Sequence, residues 1–219
     1  MTDSLALDEA IPYSEYLVPF FREKKNAVLE LKTKSASVEN LLKQEGTMNV
    51  IVSWSLNPQE TIDREEKGTA SLEERLDAAR LCQDRGYRIG FHFDPILLFP
   101  GWEQAYETVV NALFDKIDPS AIEWISLGSF RYRAGLKPIA KARHKDTRLF
   151  TGEHVQCEDG KYRYLRLLRN HAYKTLQNML KRRSENLCVY LCMETKEIWE
   201  GVMEKLPRSD EKPNRFFDL

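Results

Sequence analysis

Polar side chains stand at the ends of three apolar runs of this sequence. Lys34 follows the first run, Ser55 ends the second, and His92 and Asp94 end the third. In a β-strand, residues i and i+2 share a face, and a wholly buried parallel strand reads as continuous aliphatic residues. An ammonium, a hydroxyl, an imidazole and a carboxylate on neighbouring strand ends could contact one ligand. These four residues are therefore candidate binding residues.

Each candidate also has an ordinary structural explanation. Lys34 could begin a loop, and Ser55 could cap the turn that follows it. His92 could be a hydrogen-bonded interior histidine, and Asp94, which precedes a proline, could form an Asx turn. Polar residues on three consecutive strands are better explained by a shared site, because α/β barrels bind ligands at the carboxyl ends of their strands.

The elements that would position these residues alternate between strand and helix. The sequence predicts strands at 26–31, 49–55, 87–94, 122–127 and 187–192, and a hairpin at about 152–166. It predicts helices at 38–44, 71–85, 102–115, 136–143, 168–181 and 196–204, the second of which opens with a Ser71–Glu74 capping box. Such alternation indicates a parallel sheet with helical crossovers, either a barrel or an open doubly wound sheet. The polar strand ends favour a barrel.

The charge of the chain is concentrated in one block. Residues 131–183 hold 15 Lys and Arg against 4 Asp and Glu, although the whole chain has a net charge of −1. Within this block Lys161, Tyr162, Arg163 and Tyr164 alternate with period two, which indicates a hairpin strand with basic and aromatic residues on opposite faces. Such a block could bind the phosphate backbone of a nucleic acid, or could be a solvated helix face with charged loops.

Several classes of protein are excluded by composition and motif. No run approaches 18 apolar residues and the N-terminus has no signal-peptide pattern, so we expect a cytoplasmic chain without a membrane span. The four cysteines form neither a disulfide framework nor a zinc-ligand spacing. The sequence contains no G-x-G-x-x-G, G-x-x-x-x-G-K-[ST] or G-x-S-x-G motif.

Six segments of the sequence resemble the spore photoproduct lyase family, and in particular its relatives known as radical-SAM DNA repair photolyases. They are TDSLALD (2–8), ELKTKS (30–35), VSWSLNP (52–58), GYRIGFHFDPI (86–96), GWE (101–103) and WISLG (124–128). The resemblance implies an α/β fold: an incomplete radical-SAM-type (β/α)6 barrel that lacks its first two strands, followed by a C-terminal hairpin, helix and strand. We expect this partial barrel at 1–145, the basic hairpin region at 146–206 and a poorly ordered tail at 207–219.

The resemblance also implies cofactors and site residues. Members of this family hold a [4Fe–4S] cluster on a C-x-x-x-C-x-x-C loop, and S-adenosylmethionine on the cluster supplies the radical that starts reversal of a thymine lesion in DNA. Lys34 and Ser55 match family positions at the methionine end of S-adenosylmethionine, and His92 and Asp94 match the end of the fifth family strand. The hairpin around residues 160–164 resembles the one that inserts into the lesion-bearing duplex.

This sequence departs from the family at the cluster. It contains no C-x-x-x-C-x-x-C motif, and without three thiolates no such cluster is held. We therefore expect a C-terminal portion of a longer enzyme, inactive alone, whose partners are DNA and the missing N-terminal part of the barrel. The first strand would then be an uncovered edge. Two alternatives remain open: a radical-SAM enzyme with another substrate, and a non-catalytic chain that binds nucleic acid or a partner.

Overall fold

The computed structural model describes residues 3–203. Its strands are β1 (Leu29–Thr33), β2 (Val50–Ser55), β3 (Arg88–Ile96), β4 (Ile122–Ser129), β5 (Arg131–Arg133), β6 (His154–Gln156), β7 (Lys161–Tyr164) and β8 (Val189–Leu191). Its α-helices are α1 (Ser14–Arg22), α2 (Glu39–Leu42), α3 (Gln59–Glu65), α4 (Leu72–Asp84), α5 (Trp102–Lys116), α6 (Leu136–Arg143), α7 (Arg166–Arg183) and α8 (Lys196–Val202). The expected tail at 207–219 and the predicted end of the last helix at 204 lie outside the described residues.

Five strands form one parallel sheet in the order β1-β2-β3-β4-β8. This arrangement gives the chain an α/β fold, as the strand–helix alternation predicted. Ser55 lies opposite His92 in the register, and His92 lies opposite Ser126. Register partners on adjacent parallel strands share a face, so these three side chains lie in one row. Within the described residues β1 pairs only with β2, which leaves β1 at an edge of the sheet.

The other face of the sheet is apolar and carries the core. Val52, Trp54, Phe91 and Phe93 are fully buried there, in one cluster with side chains of α4, α5 and α7. Removal of this apolar surface from water stabilises the fold by about 25 cal/mol per Å². The helices therefore cover one face of the sheet, and the polar side chains project from the opposite face.

A second, antiparallel sheet contains the predicted hairpin. β7 is its central strand, with β5 on one side and β6 on the other. Because β5 precedes residue 145, this sheet uses residues from both sides of the expected boundary. Its rings pack on one side, where Tyr132 stacks on Tyr162 with centroids 5.4 Å apart and His154 lies 4.6 Å from the ring of Tyr164.

The observed elements differ from the predicted ones in several places. α1, α3 and β5 were not predicted, and β1 begins at Leu29 instead of residue 26. The side-chain amide of Asn49, just before β2, donates to the carbonyls of Phe21 and Lys24, so the loop between α1 and β1 is held by a side chain and not by strand pairing. α1 forms despite the interior Pro19, because its Val18 is fully buried in the core.

The helices of the described chain do not meet the requirements of a membrane span. None of those within residues 3–203 is both long enough and apolar enough to cross a bilayer.

Candidate functional site

His92 lies at the centre of the polar face and is held on both sides of its ring. Its Nε2 lies 2.7 Å from Oε1 of Glu30 and 3.2 Å from Oγ of Ser53, and its Nδ1 lies 2.5 Å from Oγ of Ser126. Because an ionised carboxylate only accepts, Nε2 donates to Glu30, and Nδ1 is hydrogen-bonded to the hydroxyl of Ser126. The imidazole is thereby fixed in one orientation by residues of three different strands.

Glu30 is the part of this network that reaches solvent. Its side chain is 34% exposed, against 5% for His92. Burial of the Glu30 carboxyl raises its pKa. The hydrogen bond and electrostatic attraction of His92, the hydrogen bond from Ser53 and the charge of Lys32 lower the pKa by more than burial raises it, so the net pKa is below its ordinary value. Glu30 is therefore an anion at neutral pH that can accept hydrogen bonds at this face.

Lys34 belongs to a separate cluster of charges. Its Nζ lies 2.7 Å from Oε1 of Glu66, and Nη2 of Arg75 lies 2.7 Å from Oε2 of the same carboxylate. Arg75 is completely buried and its Nη1 also donates to the carbonyl of Ser55, at 2.7 Å. Lys34 and Ser55 directly follow the last register pair of β1 and β2, Thr33 with Trp54. The structure thus brings Lys34 and Ser55 together through Glu66 and Arg75.

The charges of this cluster do not cancel. Burial of the Glu66 carboxyl raises its pKa. Lys34 and Arg75 lower the pKa by more than burial raises it, so the net pKa is below the ordinary value. One carboxylate then faces two cations, and the cluster carries a net charge of about +1. Of the two cations Lys34 is the accessible one, with a side chain 30% exposed. An anionic group such as a carboxylate fits this end of the polar face.

Asp94 lies two residues beyond His92 on β3 and has a different partner. Its carboxylate accepts two hydrogen bonds from Arg131, at 3.0 and 3.1 Å, and lies against Gly128. Burial of the guanidinium lowers the pKa of Arg131. Asp94 raises this pKa by more than burial lowers it, so the net pKa is above the ordinary value. The structure therefore places Asp94 on the same face as His92 but in a bidentate ion pair of its own.

The four hairpin candidates lie on β7 and are largely engaged within the protein. Arg163 is 6% exposed and donates to both carboxylate oxygens of Asp159, at 2.7 and 2.8 Å, and Lys161 lies 3.4 Å from the same carboxylate. Tyr164 is 3% exposed, and Tyr162 stacks on the neighbouring strand β5. Basic and aromatic side chains are separated as expected, but most of their polar capacity is already used by Asp159.

Two important residues of the site were not singled out from the sequence. Arg75 lies within the apolar stripe formed by Leu72, Leu76 and Ala79 of α4, and an arginine inside such a stripe indicates a buried cation with a partner. Glu66 follows α3, a helix that begins just after Pro58 and has Glu60 in its first turn. Proline at a helix start with an acidic first turn could have predicted α3, but not the partner of Glu66.

The cysteines of the structure do not fit an iron–sulfur cluster. Cys82 is buried in α4, Cys157 lies beside the turn between β6 and β7, and Cys188 and Cys192 flank β8. Within residues 3–203 no three His, Cys, Asp or Glu side chains are grouped as metal ligands would be. Iron–sulfur clusters are held by grouped cysteine thiolates, and the described residues contain no such group.

Comparison with known proteins identifies the family. A family model described as spore photoproduct lyase matches residues 1–191, so the chain belongs to the spore photoproduct lyase family. The spore photoproduct lyase of Clostridium acetobutylicum is 24% identical over 163 residues, which cover 72% of this chain and 46% of the relative. The Geobacillus sp. protein is 27% identical over 151 residues, 68% of this chain and 44% of the relative. The chain thus spans about half the length of these curated relatives.

Solved structures of the same family share the fold. Spore photoproduct lyase complexed with dinucleoside spore photoproduct superposes with a TM-score of 0.78 at 23% identity, over 87% of this chain and 58% of that chain. A mutant with bound AdoMet and dinucleoside spore photoproduct gives a TM-score of 0.77 at 24% identity, with the same two coverages. The five-stranded α/β architecture is therefore similar to that of the solved spore photoproduct lyases.

Proposed function

We propose that the polar face of the five-stranded sheet is one wall of a radical-SAM-type barrel that binds S-adenosylmethionine and acts on UV thymine lesions in DNA. The observation that carries the proposal is the cluster of Lys34, Glu66 and Arg75 beside Ser55, whose net charge of about +1 fits the carboxylate of the cofactor's methionine end. The family supports both halves of the proposal, and so do the ligands bound in one of its solved structures, AdoMet and dinucleoside spore photoproduct.

The residues of this wall have separable tasks in the proposal. Lys34 and Ser55 bind the methionine end of S-adenosylmethionine. The imidazole of His92, fixed by Glu30 and Ser126, and the carboxylate of Asp94 line the wall beside the cofactor. When bound, the cofactor would supply the radical chemistry. The chain's own residues bind and orient it and exclude water from the face.

In this proposal the cysteine ligands of the [4Fe–4S] cluster come from outside these 219 residues, because the sequence has no C-x-x-x-C-x-x-C motif. The edge strand β1 is where a polypeptide that completes the barrel would add its strand, since an unpaired strand edge is a template for further pairing. By this reasoning the chain alone is inactive and becomes active with the cluster-bearing part.

A chimera tests the proposal. The segment of the Clostridium acetobutylicum relative that precedes its matched region is fused to this chain, reconstituted anaerobically with iron and sulfide, and supplied with S-adenosylmethionine, a reductant and dinucleoside spore photoproduct. We expect conversion of the lesion to two thymidines by the chimera and none by the chain alone. Cleavage of S-adenosylmethionine without lesion turnover would support a radical-SAM enzyme of another substrate. A soluble chimera that holds its cluster but neither binds nor cleaves the cofactor would refute the proposal.

Lys34 provides the residue-level test. Loss of a charge-assisted hydrogen bond costs about 1.5–3 kcal/mol, so Lys34→Ala should weaken S-adenosylmethionine binding to the chimera by about 10- to 150-fold. Lys25→Ala, at an exposed lysine on the loop before β1, is the matched control and should leave the affinity unchanged. Equal affinities for the two variants, measured by equilibrium dialysis, would remove Lys34 from the binding site.

A further inference from the structure

Helix α6 and the loop after it form an exposed basic segment, residues 136–148. α6 has no buried residue, although it lies directly against β5. The segment holds five Lys and Arg (Lys137, Lys141, Arg143, Lys145 and Arg148) against one acidic residue, Asp146. All of these cations are exposed except the half-buried Lys137. Only the half-buried Ala140 of this helix packs against an apolar cluster, so α6 contributes little to stability through burial.

In the described part of the chain, these cations lack the ion pairs that engage the two cations of the neighbouring hairpin, Lys161 and Arg163. Within residues 3–203 none of the five forms an ion pair. By contrast, Arg163 pairs with Asp159 and Arg169 with Glu194. The hairpin at 153–164 holds three acidic residues against two basic ones, a net charge of −1. Nine cations of the block 131–183 have no ion pair within residues 3–203. Five of them lie on the segment 136–148, none lies on the hairpin, and the others are Arg133, Arg166, Lys174 and Lys181.

The basic segment is fixed in place at its far end and borders a groove. Glu65 of α3 accepts hydrogen bonds from the hydroxyl of Thr147, at 2.7 Å, and the backbone N–H of Arg148, at 2.8 Å. The groove between α3 and the segment has a volume of about 660 Å³, and it is lined on the α3 side by Arg64, Glu65 and Lys67. Arg143, Lys145 and Asp146 line the other side, so each wall carries a net positive charge of about +1.

We propose that the basic segment 136–148 binds the phosphate backbone of duplex DNA. The proposal rests on the proposed function for its choice of partner. Exposed Lys and Arg side chains without counter-ions gain most from phosphate contacts, because binding releases the cations condensed on DNA while no internal ion pair is broken. Contacts of this kind set the position of the duplex and carry no sequence information. In this arrangement the segment holds the duplex beside the antiparallel sheet of β5, β6 and β7, against which α6 lies.

Salt-dependent DNA binding tests the assignment. The variant Lys141→Ala/Arg143→Ala/Lys145→Ala removes three exposed cations, and the control Lys25→Ala/Arg85→Ala/Lys196→Ala removes the same residue types from other exposed positions. Binding of a fluorescein-labelled 24-base-pair duplex is followed by anisotropy between 50 and 200 mM KCl. Each phosphate contact contributes about −0.9 to the slope of log affinity against log salt concentration. The slope of the variant should therefore be less steep than that of the wild-type chain by about 2.7. Over this range the wild-type chain should lose about 40-fold more affinity than the variant.

The outcomes distinguish this inference from the proposed function. DNA binding by the variant with a slope within 0.9 of the wild-type slope overturns the inference, and lesion turnover by the chimera is unaffected by that result. A control triple variant that lowers the slope as much as the test variant also overturns it, since the effect would then be one of net charge. Wild-type binding to phosphatidylserine vesicles without binding to duplex DNA would assign the segment to a membrane surface and overturn it as well.

Discussion

Removal of the Glu66 charge is the most informative perturbation of this fold. Glu66→Gln keeps the shape of the side chain but leaves Arg75, which is completely buried, without a carboxylate. The amide oxygen of the new side chain can still accept one hydrogen bond, whereas its NH2 group can only donate and must face one of the two cations. The variant therefore creates an uncompensated buried charge at the end of β2.

The size of the effect follows from the burial of the pair. Glu66 is 6% exposed and Arg75 not at all, and removal of one partner of such a buried pair costs about 3–5 kcal/mol. A chain of this size loses about 2–4 °C in melting temperature per kcal/mol, so the midpoint should fall by about 6–20 °C. Glu60→Gln is the matched control, because its partner Arg64 lies at the surface and such surface pairs contribute at most about 1 kcal/mol.

Urea unfolding followed by circular dichroism measures both variants. The double variant Glu66→Gln/Arg75→Met should be more stable than Glu66→Gln alone, since it removes the unpaired charge as well. The lowered pKa of Glu66 gives a further expectation: its carboxylate stabilises the fold above the ordinary value of 4.5, and this contribution is lost as pH falls through the folded pKa. The difference in free energy of unfolding between wild type and Glu66→Gln should therefore become smaller below about pH 4.5. A Glu66→Gln variant within 1 kcal/mol of wild type at pH 7 would refute this reasoning.

Two further predictions concern packing and thiol reactivity. Gly128→Ala should destabilise the fold by about 1–3 kcal/mol in urea unfolding, because the new Cβ would lie 2.7 Å from Cγ of Asp94. The control Gly135→Ala has nothing within 4 Å of the new Cβ and should not destabilise the fold. Equal stabilities of the two variants would contradict the close approach of Gly128 to Asp94. Burial raises the pKa of the Cys82 thiol, so Cys82 should react with iodoacetamide more slowly than the half-buried Cys157 in native protein. Mass spectrometry of the labelled peptides measures both rates, and faster labelling of Cys82 would contradict the prediction.

Local patterns were sufficient to predict most of the elements that carry the site. The capping box of Ser71 and Glu74 places the start of α4, and both of its hydrogen bonds are present. The run that ends at Ser55 coincides with β2, and polar residues two apart share a face because the side-chain period of a strand is two. α1 and β5 were missed because their local signals are weak: α1 contains a proline, and β5 is only three residues long.

The partners of the site residues could not be predicted from local sequence patterns. Strand–helix alternation, the polar ends of the strands and the family resemblance are properties of short segments, so the sequence by itself determined the α/β class and Lys34, Ser55, His92 and Asp94 as candidates. Glu30 lies 62 residues from His92 along the chain, and Arg131 lies 37 residues from Asp94. Only the tertiary structure decided these two pairings, because they depend on the register between strands that are distant along the chain.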